Sequence, residues 1–203
     1  MEIAYDKNYI RVIDQALEPE FCQEMIRAFE LCDRYHRERP GEWAKLIELD
    51  LHSTRHPQAR NPWDLYRKSS HAVYDWTPVC DKLTEVVIPL VSDYRQRWDP
   101  LGMMPWEFAL EGFRIKCYRP NGRHEFKLHA DNTTLETCSR FLACLFYLND
   151  SDAGTEFPLE NTTVAAREGR VTIFTPTWHF PHAGLMPQDG QTKYILSTYL
   201  VFK

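Results

Sequence analysis

Phe126-Lys127-Leu128-His129-Ala130-Asp131 sets an imidazole and a carboxylate two residues apart, where an alternating strand runs out into a turn. Imidazole nitrogen and carboxylate oxygen suit Fe(II), and a facial set of two His and one carboxylate leaves three coordination positions open. His129 and Asp131 supply two members of such a set, so a third imidazole must come from elsewhere. Trp178-His179-Phe180-Pro181-His182-Ala183-Gly184 offers two, and Lys193 follows them. His-x-Asp alone is a common tripeptide, and a single His at a strand end is ordinarily solvated. The weight lies in the ordered set.

The surroundings of this stretch read as β structure. From Phe108 onward apolar and polar residues alternate in short segments punctuated by Gly and Pro. Strands are predicted over 108–118, 124–129, 140–148, 163–166, 170–175 and 192–202. Phe141 to Leu148 is almost continuously apolar, which predicts burial on both faces. In the last strand Tyr194, Leu196, Thr198, Leu200 and Phe202 share one face. Lys193, Ile195, Ser197 and Tyr199 share the other, placed inside a barrel. Many short strands with turn signals indicate a sandwich or barrel, and the jelly rolls include cupin-like metal proteins.

The N-terminal half reads differently. Tyr9 to Ile13 is a short strand. Pro19 and Glu20 open a helix whose Phe21, Cys22, Met25, Ile26, Phe29 and Cys32 recur at helical spacing, ending near Tyr35. Residues 36–75 mix basic and aromatic side chains around a short strand near Ile47 and read either as a solvated loop or as a flap over the site. Thr77-Pro78 predicts a second helix, with Thr77 as its cap. Its buried stripe is Leu83, Val87, Leu90, Tyr94 and Trp98, and Pro89 should kink or split it. Asp99 to Gly102 ends it.

A net charge of −5 argues against general nucleic-acid binding, and no apolar run is long enough to span a bilayer. The opening residues lack the pattern of a secretory signal. None of the six cysteines forms a Cys-x-x-Cys pair, and most sit in apolar patterns, which predicts reduced thiols and a cytoplasmic protein. The Asn132 and Asn161 sequons then carry no meaning. His124-Glu125-Phe126-Lys127-Leu128-His129 imitates a zinc-protease motif but is one residue too long. A spacing of five sets the two imidazoles about 140° apart on a helix, and on opposite faces of a strand.

Tyr118, His129, Asp131, Gly154-Thr155-Glu156-Phe157-Pro158, His182-Ala183-Gly184, Gly190 and Lys193-Tyr194, in that order, resemble the Fe(II)/2-oxoglutarate-dependent dioxygenases in their prolyl 4-hydroxylase-like branch. The resemblance covers roughly residues 108–203. It departs from the family in a longer interval between Tyr118 and His129, and in Ala153-Gly154-Thr155 where relatives often carry Gly-Gly-x-Thr.

The resemblance implies an α+β fold: a double-stranded β-helix (jelly-roll, cupin-like) core with N-terminal helices packed on its outer face. It implies one domain over 1–203, made of an N-terminal helical and flap region, 1–107, and a catalytic core, 108–203. The implied metal ligands are His129, Asp131 and His182, since the family ligand directly precedes a small residue and Gly; His179 becomes a neighbour. Lys193 would meet the distal carboxylate of 2-oxoglutarate, with Arg140 or Arg114 as fallback, and Tyr118 and Thr155 would help hold the same molecule. Fe(II), 2-oxoglutarate and O2 are the implied cofactor and cosubstrates, with ascorbate a candidate reductant. The implied partner is a small-molecule or peptide substrate, with neither nucleic acid nor membrane. The implied reaction is hydroxylation of a peptidyl proline, a free amino acid or a small metabolite. The alternative is a non-catalytic jelly-roll protein that uses a metal to hold a carboxylate or sugar.

Overall fold

β8 (Arg140–Tyr147) is an unbroken apolar run because both of its faces are covered. Leu142, Cys144 and Phe146 belong to one core and Ala143, Leu145 and Tyr147 to another, in strict alternation. The computed structural model describes residues 1–40, 44–51, 73–120, 123–188 and 190–203. β13 (Lys193–Phe202) lies beside β8 and pairs on its other edge with β6 (Arg114–Tyr118). It divides as alternation predicts, with Tyr194, Leu196 and Leu200 in the first core and Ile195 and Tyr199 in the second.

From these central strands the sheet runs one way through β11 (Val171–Phe174) and β2 (Ile10–Asp14) to β1 (Glu2–Lys7). The other way it runs through β4 (Ala44–Asp50), β7 (Glu125–His129), β12 (His182–Gly184) and β9 (Ser151–Phe157) to β10 (Thr162–Ala166). β3 (Arg37–Pro40) pairs with β4, and β5 (Phe108–Leu110) with β13. All described pairings are antiparallel. The sheet curls until its inner face encloses the second core, which holds Tyr118, Tyr147, Phe157, Phe174 and Tyr199. This is a double-stranded β-helix in an α+β architecture.

Two α-helices lie among the described residues. α1 (Pro19–Leu31) begins with Pro19 and Glu20 in its first turn and buries Phe21, Cys22, Met25, Ala28 and Phe29. A short 3₁₀ turn, Asp33–Tyr35, follows it. α2 (Thr77–Trp98) departs from expectation twice. Thr77 is its first residue and not its cap; the Asp75 carboxylate accepts the Thr77 N–H at 3.0 Å instead. The helix also passes unbroken through Pro89. Pro89 is exposed, so the carbonyl left without its helical donor faces water, while Leu83, Val87, Leu90 and Val91 anchor both halves in the first core. That core also contains Ile115, Cys117, Cys144, Phe146, Ile173 and Leu196, all from sheet residues that alternate away from the barrel interior. No helix among the described residues is long and apolar enough to cross a membrane. None of the six cysteines is in a disulfide, and burial pushes the Cys22, Cys80, Cys117 and Cys144 thiols up to about 12, where they are inert.

The N-terminal half contributes more to the sheet than its helical reading suggests. β4 is the short strand expected near Ile47; it lies between β6 and β7, with Ala44 and Leu46 in the inner core and Leu49 in the outer one. Residues 52–72, the greater part of the expected flap, lie outside the described residues. Residues 108–118 form two strands and not one, β5 and β6, parted at Glu111–Phe113, where the Phe113 carbonyl accepts the Leu51 N–H at 2.9 Å.

Gly154 stands inside β9. A Cβ there would lie 2.1 Å from the Val164 carbonyl oxygen of β10. Backbone on the opposing strand cannot swing aside as a side chain can. Gly154→Ala should therefore cost at least the ~1–3 kcal/mol typical of overpacking, read as a lowered midpoint in urea unfolding with little change in slope.

Candidate metal centre

His129 and His182 are register partners across β7 and β12. Directly opposed residues of an antiparallel pair project to the same face with Cβ atoms about 4.5–5.5 Å apart, so both imidazoles enter the barrel, with ring centroids 4.4 Å apart. Asp131 lies just past the end of β7, and its N–H donates to the Pro176 carbonyl at 3.0 Å. The two-residue offset keeps its side chain on the His129 face. Asp131 Oδ1 is 3.4 Å from His129 Nε2, and Oδ2 is 3.2 Å from His182 Nε2. One ligand atom from each of the three residues falls within a 4.8 Å circle.

The hydrogen bonds behind this cluster settle what it presents. His129 Nδ1 lies 2.7 Å from the Lys127 carbonyl, and His182 Nδ1 lies 3.2 Å from the Phe180 carbonyl. A carbonyl only accepts, so each Nδ1 carries the proton and each Nε2 lone pair is turned inward. Burial lowers the His129 pKa and favours the neutral ring. Burial alone would raise Asp131; positive charge at the facing His182 and His129 edges, which a bound cation supplies when the rings are neutral, holds its carboxyl well below its ordinary value. Asp131 Oδ2 is buried without a hydrogen-bond partner among the described residues. Two inward lone pairs and an ionised carboxylate repel one another unless a cation lies between them. The donor set, two imidazoles and one carboxylate, fits a divalent transition metal with open positions. Phe126 stacks on the His129 ring at 3.6 Å and Phe174 meets the His182 ring edge-on at 4.8 Å, fixing both ring planes.

The family model of the 2OG-Fe(II) oxygenase superfamily matches residues 113–201, the stretch that carries all three of these residues. Residues 113–201 are a 2OG-Fe(II) oxygenase domain. Its cofactor is Fe(II) and its cosubstrates are 2-oxoglutarate and O2.

The fold of the oxygenase is that of the prolyl 4-hydroxylase-like branch. A viral collagen prolyl hydroxylase of Paramecium Bursaria Chlorella virus-1, in complex with 2-oxoglutarate, superposes with a TM-score of 0.64 at 16% identity, covering 98% of this chain and 99% of that one. A prolyl hydroxylase of Trichoplax adhaerens, bound to a hypoxia inducible factor peptide fragment, gives 0.65 at 14% identity, covering 96% of this chain and 84% of that one. The carbocyclase SnoK of nogalamycin biosynthesis gives 0.62 at 12% identity, covering 96% of this chain and 80% of that one. Sequence comparison with curated proteins finds no match.

A cleft of the oxygenase opens beside the triad, bordered by Lys116, Tyr118, Thr155, Ile195 and Tyr199. Lys193 is fully buried behind this wall. Its ammonium donates to the carbonyls of Gly154 (3.3 Å) and Leu185 and lies 4.2 Å from the Tyr118 ring centroid. With no carboxylate in contact among the described residues, burial lowers it to about 7, with Asp152 pulling the other way. Thr155 Oγ1 accepts the Tyr147 hydroxyl at 2.8 Å, which leaves its own proton to donate. Gly184 leaves room for the Tyr118 hydroxyl, which would lie 2.9 Å from a Cβ at that position.

The decoy histidines lie elsewhere. His124 Nδ1 accepts the Arg119 N–H at 2.9 Å, and His179 stacks on exposed Trp178 at 3.5 Å. Arg140 is clamped to Glu111, and Arg114 lies between Asp50 and Glu111, so each fallback for the anchor already faces acidic groups. Two features of the site escape the sequence reading. One is Lys116 on the cleft wall; the other is a contact between Tyr199 and Asp131. Alternation along β13 places Tyr199 inside, but says nothing of what its hydroxyl touches.

Proposed function

We propose that His129, Asp131 and His182 ligate the iron, that Lys193, Tyr118 and Thr155 hold 2-oxoglutarate, and that the reaction is hydroxylation of an aliphatic C–H. The convergence of two inward Nε2 lone pairs on the Asp131 carboxylate, whose Oδ2 has no donor among the described residues, supports the ligand assignment. Bound iron, with 2-oxoglutarate and O2, supplies the oxidising power: the cosubstrate leaves as succinate and CO2, one oxygen atom going to succinate and the other to the substrate.

The protein's part is placement and dryness. The Lys127 and Phe180 carbonyls fix both imidazole tautomers. Phe126, Phe157 and Phe174 wall the two rings with apolar surface. An incoming carboxylate would give the Lys193 ammonium a charge-assisted partner in place of neutral carbonyl contacts. Tyr118 and Thr155 offer hydroxyl protons to the same molecule from the cleft wall.

The substrate reading is a peptidyl proline, a free amino acid or a small metabolite. Peptide hydroxylases and a carbocyclase share this fold, so the fold does not choose among them. Residues 1–107 and 108–203 are proposed to act as one domain, since β1, β2 and β4 pair within the same sheet as the core strands. The test is anaerobic reconstitution with Fe(II), 2-oxoglutarate and ascorbate, followed by O2. Proline peptides, free amino acids and cell extract are then screened for a gain of one oxygen atom. Succinate should form only when Fe(II) and 2-oxoglutarate are both present, and rise with a true substrate. Tight 2-oxoglutarate binding with no succinate under any condition would sink the catalytic assignment.

A further inference from the structure

Asp131 is held at both ends by one closed circuit of contacts. At its side chain, the Tyr199 hydroxyl donates to Oδ1 at 2.9 Å. At its backbone, Arg140 Nη1 donates to the Asp131 carbonyl at 3.2 Å. The same guanidinium lies 3.9 Å from the Tyr199 ring centroid. Arg140 is itself fixed by both oxygens of Glu111, at 2.6 and 2.7 Å. Glu111 returns to the start, its N–H donating to the Tyr199 carbonyl at 2.9 Å. Tyr199 is 3% exposed and its ring borders the cleft, so the hydroxyl bond is shielded from competing water.

The circuit treats the two carboxylate oxygens unequally. Oδ1 has a donor, and Oδ2, 3.2 Å from His182 Nε2, has none among the described residues. We infer that Tyr199 is a positioning residue that occupies Asp131 Oδ1 and so presents the carboxylate to the metal through Oδ2 alone. This rests on Asp131 being a metal ligand. Partners that orient a ligand commonly change metal affinity by about 10–100-fold when removed. One-oxygen ligation matters because a carboxylate that swings to bind through both oxygens takes a position that cosubstrate or O2 requires. Arg140 and Glu111 then act through Tyr199, holding its ring in plane, and touch neither metal nor substrate.

The test uses Co(II) as a spectroscopic probe, titrated anaerobically into the metal-free full chain. The wild type should bind one equivalent and develop visible absorption bands, and Asp131→Ala should not; wild-type failure would indict the ligand assignment itself and not the role of Tyr199. Tyr199→Phe keeps the ring beneath Arg140 and removes only the hydroxyl. It should weaken Co(II) binding by about tenfold and shift the bands, while the melting temperature of the metal-free protein stays near wild type. Wild-type affinity with an unchanged spectrum in Tyr199→Phe overturns the inference. Should that variant fail to fold, Glu111→Gln loosens Arg140 and leaves the hydroxyl in place. A smaller loss of affinity in the same direction supports the inference, and no change overturns it.

Discussion

Asp131→Ala should abolish metal binding and, with it, all 2-oxoglutarate turnover. The substitution removes the one anionic member of the cluster and leaves the inward Nε2 atoms of His129 and His182 against the apolar wall made by Phe126, Phe157 and Phe174. Two neutral imidazoles compete poorly with water for a divalent ion. An affinity loss of a thousandfold or more, about 4 kcal/mol, is expected. The metal-free variant should nonetheless remain folded, because a buried carboxylate and its desolvation cost are lost together. Equilibrium dialysis with Fe(II) under nitrogen, run beside a thermal melt, separates the two effects. His179→Ala is the control and should bind iron like the wild type, since that ring is stacked on Trp178 away from the cluster. Retained stoichiometric iron in Asp131→Ala would require another carboxylate at the site.

Lys193→Ala should raise KM for 2-oxoglutarate by tenfold or more, about 1.4 kcal/mol of lost binding, while leaving iron affinity intact. The loss follows from removing the ammonium and orphaning the Gly154 and Leu185 carbonyls it serves. The charge state of Lys193 adds a pH signature. Its folded pKa of about 7 lies below the ordinary lysine value of 10.5. Between those values the unfolded chain holds a proton that the folded protein has released, so the ligand-free protein gains stability as pH rises through that window. A bound dicarboxylate restores the proton. Its affinity should therefore fall as pH climbs above 7, by at most about tenfold per unit, with uptake approaching one proton per ligand. Calorimetry in two buffers of different ionisation enthalpy reads that uptake directly, and Lys193→Ala should erase it. Binding without proton uptake, and insensitive to the substitution, would move the anchor elsewhere.

The parts of the site that depend on spacing are legible in the chain itself. His-x-Asp puts two of the proposed ligands on one face, and His-Ala-Gly places the proposed third beside a glycine with room for Tyr118. Alternation from Leu142 to Tyr147 in β8 and from Tyr194 to Leu200 in β13 likewise separates inner from outer core, whereas Phe141 packs with the outer core out of phase. The failures have physical causes. β9 reads Ser-Asp-Ala-Gly-Thr-Glu-Phe, a composition poor in β-branched residues, and it is a strand because β10 and β12 pair with both its edges. β12 has only three residues, too few to show any period. Pro89 leaves the helix intact because it faces water, and burial cannot be read from a single residue. The Tyr199–Asp131 bond depends on the rotamers of two side chains 68 residues apart, which no local pattern encodes.

β13 comes after each of the strands it pairs with and lies near the middle of the sheet, with β8 on one edge and β6 and β5 on the other. It also carries Lys193, Ser197 and Tyr199 into the interior. During synthesis from the N-terminus, β5, β6 and β8 therefore emerge before the strand that joins the two halves of the sheet. Until residues 193–202 have left the ribosome, β8 and β6 expose unpaired edges to each other and to any neighbouring chain. The ligand residues exist by then, but Asp131 has no Tyr199 to orient it and the cleft has no Lys193 floor. A growing chain thus cannot assemble the complete oxidation site early. Iron loading has to wait for β13, and the exposed interval before it inserts is when a holding chaperone would matter most.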